Sequence, residues 1–507
     1  MALNIGGIAA VVVFYILILA IGVWASKRSK KEEKKCPGTM SEVTIIGGRN
    51  VNLLVGIFTM TATWVGGAYI LGIAEVVYSP SQGGLFFAKP MRSQCYVTMM
   101  DPFQRRYGKH FTTALLIPAI IGDIFWVACI LAALVDVPAD AVFTLSLNQT
   151  QWPPWLGELK LEDAGKWLDE LLLLALGGLS YQALYQRILA AASPVHAQIT
   201  CYVAAGTVLT LAIPSVIIGA VAASADWNQT SYGLPSPFER GEAGKVLPLT
   251  LHYMTPPWVS VVGIGAVAAA VMSSMDSVLL SSGSMFAHNV YKSILRVKAS
   301  DRECQWVIRI TVLLVGLAGM GLAFSESSVF AFWIVSSDLI YCIVFSQLIC
   351  VLHCPFANGY GATAGYVLSL TLRLLSGESL IHLPPVLLFP GWRLDEETGT
   401  VSQYFPFRTL IMLLSVLTIV CVSLLTRWVF THHLLPSSWD VMGLLKLKQE
   451  EEDEEEGEGS PGDEGRPGDK GSHGGDEEDK EPSAVEEKLL AISSTTVRMW
   501  PMESPRF

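Results

Sequence analysis

Long apolar stretches constrain the fold of this chain more than any other feature. Ten of them are found, at about residues 5–25, 51–77, 113–135, 168–189, 197–222, 257–283, 306–324, 328–352, 361–375 and 406–430. A helix needs roughly 20 largely apolar residues to cross about 30 Å of hydrocarbon. With 51% hydrophobic and only 16% charged residues, the sequence therefore predicts an all-α polytopic membrane protein embedded in a lipid bilayer.

Charge is concentrated at the end of the sequence. The net charge of -11 arises within residues 446–507, which hold 19 acidic and 8 basic residues, so the preceding part is neutral. A nucleic-acid partner is excluded because no basic stripe occurs outside short loops. We predict a transmembrane domain at residues 1–435 and an acidic, disordered cytoplasmic tail at residues 436–507. In this tail, Glu487 and the Leu489-Leu490 pair resemble a sorting signal for an endocytic adaptor, although a solvated spacer is the simpler interpretation.

Basic residues in the short loops predict the orientation of the spans. The cluster KRSKKEEKK at residues 27–35 places the end of the first span in the cytoplasm and the N-terminus outside. Basic residues then crowd into residues 89–109, a loop that should be external, so one crossing is missing near residues 78–85. If that crossing is granted, the sequons that begin at Asn148 and Asn228 are external, and both asparagines are predicted glycosylation sites.

Two spans have the composition of interrupted helices. One contains GIFTMTATWVGGAY, with glycine and threonine on both sides of Trp64, and the other contains Gly177-Gly178 followed by polar residues. Transporters bind solutes near the bilayer midplane, where broken helices free backbone groups to hold ions. Small residues that allow close helix packing are the alternative interpretation.

Hydroxyl and carboxyl groups accumulate in AAVMSSMDSVLLSSGS, within the stretch at 257–283. Ser273 and Ser274 offer oxygen ligands suited to a cation such as sodium. A carboxylate at membrane depth costs a few kcal/mol, so we expect Asp276 to face a partner, water or an ion. Asp123 and Asp338 carry the same expectation. Hydrogen bonding between helices is the alternative.

Three aromatic residues lie within spans rather than at an interfacial belt. Trp64, Trp126 and Tyr181 each neighbour a glycine-rich or polar interruption. A ring face attracts a desolvated cation, so the three rings are candidates for binding an organic cation. Ordinary packing is the alternative for each ring taken singly. No cluster of nucleophile, base and orienting group indicates an enzyme.

Several long strings resemble the high-affinity choline transporters of the sodium/solute symporter family. They include TMTATWVGGAYI, GGLFFAKPMRSQCYVTMMDPFQRRYGK, GGLSYQALYQRIL, AVAAAVMSSMDS and WIVSSDLIYCIVF. The resemblance covers most of residues 7–430 and implies a LeuT-like inverted-repeat core of thirteen spans. It further implies uptake of choline dependent on sodium and chloride, with no other cofactor. The implied location is the plasma membrane and synaptic vesicles of cholinergic presynaptic terminals, where choline supplies acetylcholine synthesis.

The resemblance also implies roles for individual residues. The sodium ligands would be the backbone oxygens of Thr61, Trp64 and Ala270 with the hydroxyls of Ser273 and Ser274. The choline cage would consist of Trp64, Trp126 and Tyr181, and charge coupling would fall to Asp276, Asp123 and Asp338.

The sequence departs from the family pattern in three ways. Tyr181 stands where tryptophan is expected, and Asp123 stands where glutamate is expected. A family span between Ser79 and Gly83 is mostly absent, and two more are absent between Leu134 and Gln151, so the first repeat is incomplete. These departures leave two alternatives: a truncated, non-transporting isoform that pairs with or regulates full-length transporters, and a symporter for another organic cation. Assembly as a homo-oligomer also stays open.

Overall fold

The computed structural model describes residues 16–17, 19–24, 45–46, 49, 51–66, 69–70, 96–135, 164–240, 242–324, 329–378, 380, 383–394, 401–442 and 444. All of these belong to one unit, Met1–Gln449. Asn148, the Leu489-Leu490 pair and almost all of both places where family spans are predicted to be absent lie outside the described residues. The division of the chain at residue 435 therefore stays a prediction.

Helices form almost all of the described structure. In chain order they are α1 (Leu53–Trp64), α2 (Asp101–Tyr107), α3 (Lys109–Val135), α4 (Ala164–Gly177), α5 (Gln182–Ala190), α6 (Pro194–Ser224), α7 (Val246–Tyr253), α8 (Pro257–Met285), α9 (Asp301–Ala323), α10 (Val329–Leu339), α11 (Ser346–His353), α12 (Gly359–Leu375) and α13 (Phe407–Thr431). A two-stranded antiparallel hairpin, β1 (Arg393–Leu394) and β2 (Val401–Ser402), precedes α13.

Six helical segments in the described part are long and apolar enough to cross a membrane. They are Lys109–Leu131, Pro194–Ser224, Pro257–Leu295, Asp301–Ala323, Val329–His353 and Phe407–Thr431. Two of them include a π-helical stretch, Phe286–Leu295 after α8 and Ile340–Phe345 between α10 and α11. The prediction of an all-α polytopic membrane protein is confirmed. Of the remaining predicted spans, that at 168–189 is divided between α4 and α5, and that at 361–375 is the shorter helix α12.

The core of the bundle is formed by α3 and by the segment from α10 to α11. In each segment we compare the most apolar stretch of 18 residues. The buried share of this stretch is 89% in Val329–His353 and 67% in Lys109–Leu131, but only 17–33% in the other four segments. Helix α3 packs against α10 on one side and against α8 and α9 on others. The outer helices keep apolar side chains exposed, as lipid-facing helices do.

Helices α12 and α13 approach closely through a small-residue motif. A Cβ atom on Gly361 or Gly365 would overlap Ser423 or Ile419 of α13. Glycines four residues apart lie on one face of a helix, which lets two backbones come together in a bilayer. This contact packs α12 against α13, the two helices that carry the arginines described below.

Both spans that the sequence predicts to be interrupted are broken in the structure. Helix α1 ends at Trp64, and Val65 leaves the helical conformation with φ -80° and ψ 72°. Helix α4 ends at Gly177, a 3-10 turn occupies Gly178–Ser180, and Tyr181 is extended with φ -86° and ψ 133° before α5 begins. The two breaks bring backbone groups and aromatic side chains into the interior of the bundle.

Candidate functional site

The broken end of α1 meets α8 through two serine hydroxyls. Ser273 Oγ donates a hydrogen bond to the carbonyl oxygen of Ala62 at 3.0 Å, and Ser274 Oγ donates to that of Thr63 at 3.1 Å. Helix α8 thus holds the end of α1 with the two hydroxyls that the sequence indicates as sodium ligands.

The free carbonyl groups at this end follow from the way the helix terminates. The amide of Val65 donates to Thr61 O at 2.8 Å, and the amide of Gly66 donates to Trp64 O at 2.9 Å rather than to Ala62 O. The carbonyl of Ala62 therefore lacks its usual helical partner, as the last carbonyls of a helix do, and the Ser273 hydroxyl replaces it. The Ser274 hydroxyl donates to the next carbonyl, that of Thr63. Hydroxyl and carbonyl oxygens in one place are ligands of the kind that sodium favours.

Gly66 allows α1 and α8 to come this close. A Cβ atom at Gly66 would overlap the Ser274 side chain and would lie 3.4 Å from the carbonyl oxygen of Ala270. All five residues of the predicted sodium set, Thr61, Trp64, Ala270, Ser273 and Ser274, are therefore gathered around the break. The Thr61 hydroxyl is buried and has no hydrogen-bond partner within the described part of the chain.

The three predicted aromatic residues converge beside this break. The ring centroid of Trp126 lies 4.2 Å from that of Tyr181, and the Trp64 centroid lies 5.4 Å and 6.2 Å from those of Trp126 and Tyr181. Trp126 and Tyr181 are buried, whereas Trp64 is partly exposed. The trio, as we call Trp64, Trp126 and Tyr181, therefore presents its accessible ring surface at Trp64, where a cation-π contact can form.

Tyr181 is fixed in the trio by its phenol group. Its oxygen lies 2.6 Å from Ser336 Oγ on α10, and Ser336 Oγ also donates to the carbonyl oxygen of Gly122 on α3 at 2.8 Å. The hydroxyl that distinguishes Tyr181 from the expected tryptophan thus connects the break between α4 and α5 to the two central helices.

The predicted charge-coupling residues have different surroundings. Asp123 is buried, and its Oδ2 accepts a hydrogen bond from Ser282 Oγ at 2.5 Å. Asp276 lies on the exposed side of α8 and has no hydrogen bond or ion pair with any other described residue. The role of Asp276 stays a prediction.

Asp338 lies in a buried cluster of ionised side chains. Its Oδ2 accepts from Arg373 Nε at 2.7 Å and lies 3.1 Å from Arg408 Nε. Arg373 also pairs with Glu378 at 2.5 Å, and Arg408 lies 3.7 Å from Asp169. Charges at this depth are stable when each is paired, so the two arginines account for the burial of Asp338 without an additional ion.

Asn228 is exposed in a short turn, Trp227–Gln229, beyond the end of α6. In the same loop, Tyr232 Oη donates to Glu242 at 2.6 Å, and Arg240 lies over the Tyr232 ring at 4.2 Å. Burial raises the pKa of Glu242, but Tyr232, Lys245 and Arg240 outweigh it and hold this pKa below its ordinary value. Burial and Glu242 raise the pKa of Tyr232.

Comparison with known proteins identifies the family. A model of the sodium:solute symporter family matches residues 160–368. The high affinity choline transporter 1 of Homo sapiens is 41% identical over 533 residues, which cover 89% of this chain and 90% of that protein. The chain belongs to the sodium:solute symporter family. The corresponding transporter of Torpedo marmorata is also 41% identical, over 89% of this chain and 91% of its own.

Membership in the sodium:solute symporter family agrees with the fold. The structure of a Na⁺-coupled sialic acid symporter, determined in a substrate-bound outward-open state, matches with a TM-score of 0.61 at 14% identity. That match covers 83% of this chain and 97% of the symporter. The predicted LeuT-like architecture is confirmed, and the relatives are named as transporters rather than enzymes.

The alignment with the human transporter contains gaps in this chain. Its 533 positions exceed the 507 residues of the whole chain, of which 89% are aligned. Some positions of the human transporter therefore have no counterpart in this chain. That these gaps fall after the second and third predicted spans stays a prediction.

Sequence reasoning missed several residues of the site. The carbonyls of Ala62 and Thr63 accept the serine hydroxyls, and Ser336 holds Tyr181. The arginines that pair with Asp338 also went unnoticed. Both arginines gave a sequence signal: Arg373 lies near the end of one apolar span and Arg408 near the start of another, and a cation within a span requires a partner.

Proposed function

We propose that this chain takes up choline across the plasma membrane, coupled to sodium and dependent on chloride. The single observation that carries the proposal is the position of Trp64. Its carbonyl oxygen belongs to the broken end of α1 that Ser273 and Ser274 hold, and its ring belongs to the trio. A cation at the serines and an organic cation at the rings would therefore act on the same residue.

The coupling follows from this geometry. Sodium bound between the oxygens of α1 and α8 stabilises the end of α1 against α8 and so fixes the orientation of the Trp64 ring. The trimethylammonium group of choline then binds over that ring, where a cation-π contact contributes about 0.5 to 2 kcal/mol. Movement of α1 and α5 relative to α8 and α10 opens the site to the other side.

The driving force is the sodium gradient together with the membrane potential. Each positive charge that moves inward gains about 2.3 kcal/mol per 100 mV. The family relationship supports sodium as the coupling ion. The proposed chloride dependence rests on the resemblance to choline transporters. The choline taken up would supply acetylcholine synthesis in presynaptic terminals, with the transporter also held in synaptic vesicles.

Further parts of the proposal concern the surface and the tail. Asn228, exposed in its turn, and Asn148 are the proposed glycosylation sites. The Leu489-Leu490 pair of the acidic tail is proposed to bind an endocytic adaptor, and homo-oligomers are the proposed assembly. Lectin binding before and after treatment with a glycosidase would test the first of these directly.

The experiment that tests the proposed function is uptake of radiolabelled choline into proteoliposomes that contain the full chain. An inward sodium gradient is expected to drive accumulation above the equilibrium level, and an equal potassium gradient is not. Replacement of chloride by gluconate is expected to reduce the rate. Equal uptake under sodium and potassium gradients would contradict the proposal.

A non-transporting regulator of full-length transporters is a second candidate function, favoured by the gaps in the alignment. It predicts no uptake by this chain alone and altered surface abundance of an intact relative on co-expression. A symporter for another organic cation is favoured by the phenol of Tyr181, which donates to Ser336 and makes the trio differ from the expected set of rings. Competition by a panel of amines would separate this candidate, because a non-choline substrate would inhibit at lower concentration than choline.

A further inference from the structure

A line of serines runs along α8 away from the proposed sodium site. Ser277 Oγ donates to Ser273 O at 3.1 Å, and Ser281 Oγ donates to Ser277 O at 2.7 Å. Residues four apart lie on one face of a helix. We call Ser273, Ser277 and Ser281 the serine file. By the predicted orientation, the file leads toward the cytoplasmic end of α8, where Lys292 follows.

The guanidinium group of Arg187 is hydrogen-bonded to the serine file. Its Nη2 donates to Ser277 Oγ at 2.7 Å, and its Nη1 donates to Gln186 Oε1 at 2.8 Å. The same Gln186 oxygen accepts from Ser281 Oγ at 3.3 Å. Two members of the file therefore hold the guanidinium from α8, one directly and one through Gln186.

This position is one helical turn from the proposed sodium site. Ser277 Oγ lies 3.3 Å from Thr63 Oγ1, and the carbonyl oxygen of the same Thr63 accepts Ser274 Oγ. One turn of helix is about 5.4 Å. A cation among the oxygens of Ala62, Thr63 and the two serines would thus lie close to the guanidinium, to which Ser277 connects Thr63.

The charge on Arg187 is permanent and is not offset nearby. A guanidinium stays protonated in proteins, and the oxygens that accept from Arg187 belong to neutral side chains. Among the residues that the structure describes, no carboxylate forms an ion pair with Arg187. The field of this charge therefore opposes a second cation at the site, and more strongly than it would in water.

We propose that the charge of Arg187 lowers the affinity of the site for sodium and so favours release of sodium toward the cytoplasm. The guanidinium weakens sodium binding between α1 and α8, so that the ion dissociates along the serine file once the site opens inward. Arg187 acts on sodium through its charge and through Ser277, and it is a positioning residue rather than a sodium ligand. The inference rests on the proposed function, because it requires sodium at Ser273 and Ser274.

Sodium titration of the purified full chain tests this role without a need for transport. The thermal unfolding midpoint is measured against sodium concentration at constant ionic strength, with N-methylglucamine as the replacing cation. Arg187→Gln removes the charge and keeps an amide donor for Ser277, whereas Arg187→Lys keeps the charge. Arg309→Gln is the matched control, because it removes an exposed arginine of α9 that stacks on Trp306.

The half-saturating sodium concentration is expected to fall about tenfold in Arg187→Gln and to stay within about twofold of wild type in Arg187→Lys and Arg309→Gln. Ser277→Ala, which releases the guanidinium, is expected to shift it in the same direction as Arg187→Gln. A structural role would instead lower the unfolding midpoint of both Arg187 variants without moving the sodium dependence.

An unchanged or raised half-saturating sodium concentration in Arg187→Gln overturns the inference. A tenfold fall in Arg187→Lys, equal to that in Arg187→Gln, also overturns it. If Arg187→Gln does not fold, a rise in Ser277→Ala overturns it. A wild-type chain whose stability does not respond to sodium contradicts the proposed sodium coupling itself. The failure of that proposal is therefore distinguishable from the failure of this one.

Discussion

The hydroxyl of Ser274 lies 3.1 Å from the carbonyl oxygen of Thr63, a residue 211 positions earlier in the chain. This contact joins the broken end of α1 to α8. It places two structural requirements of ion coupling, free backbone oxygens and side-chain hydroxyls, at one point in the bundle.

Substitution of Gly66 tests how closely α1 must approach α8. Gly66→Ala introduces a Cβ atom that overlaps the Ser274 side chain, so the hydroxyl must move away from Thr63. Loss of one oxygen ligand to a cation costs about 1.5 to 3 kcal/mol, which is about tenfold or more in affinity. The measurement is the sodium dependence of thermal unfolding. Gly206→Ala is the control, because a Cβ atom there meets nothing within 4 Å.

Substitutions in the trio test the cation-π interaction. Trp64→Ala is expected to weaken choline binding about twofold to thirtyfold, and Trp64→Phe, which keeps a ring, to weaken it less. Tyr181→Phe keeps the ring but loses the contact with Ser336, and is expected to destabilise the fold by about 1 kcal/mol. Equilibrium binding of radiolabelled choline measures the first effect and thermal unfolding the second. Equal choline affinities in wild type and Trp64→Ala would exclude a role for this ring.

Removal of one member of the buried ion cluster tests whether pairing holds it together. Arg373→Met leaves Asp338 with only Arg408 and leaves Glu378 without the partner that lies 2.5 Å away. Breaking a buried pair costs about 3 to 5 kcal/mol, so the variant is expected to unfold at markedly lower temperature. The double variant Arg373→Met/Asp338→Leu should recover part of this loss, and a double variant less stable than Arg373→Met would argue against the pairing.

Acid should weaken the loop between α6 and α7 through Glu242. Because the pKa of Glu242 is lower in the folded chain than its ordinary value, its ionised form stabilises the fold above the unfolded pKa. This contribution is lost as the pH falls through the folded pKa. Wild type should therefore lose more stability than Glu242→Gln on acidification below about pH 4.5. Parallel decreases in the unfolding midpoints of the two proteins would contradict the assignment.

The sequence predicts the parts of this structure that depend on local composition. Apolar length located the spans, and the glycines around Trp64 and after Gly177 predicted both helix breaks, because glycine and polar residues weaken a helix in a bilayer. The long strings shared with choline transporters predicted the family, which the comparisons confirm. Ser273, Ser274 and the trio were candidates from their hydroxyl groups and rings within spans, and the resemblance gave their specific roles. These roles stay predictions, although the structure brings the residues together.

Contacts between distant segments were not predictable in the same way. The pairing of Asp338 with Arg373 and Arg408 depends on how α10, α12 and α13 pack. This packing cannot be predicted from a single sequence. The hydrogen bond from Arg187 to Ser277 likewise depends on the approach of α5 to α8. The residue that holds Tyr181, Ser336, is an ordinary serine in an apolar string and has no local signal.

Equilibrium choline binding to the purified chain tests the central claim most directly. The claim predicts saturable binding of radiolabelled choline in sodium, much weaker binding when potassium replaces sodium, and loss of this difference in Ser274→Ala. Binding that is equal in sodium and potassium, or a sodium effect that survives in Ser274→Ala, would contradict the claim.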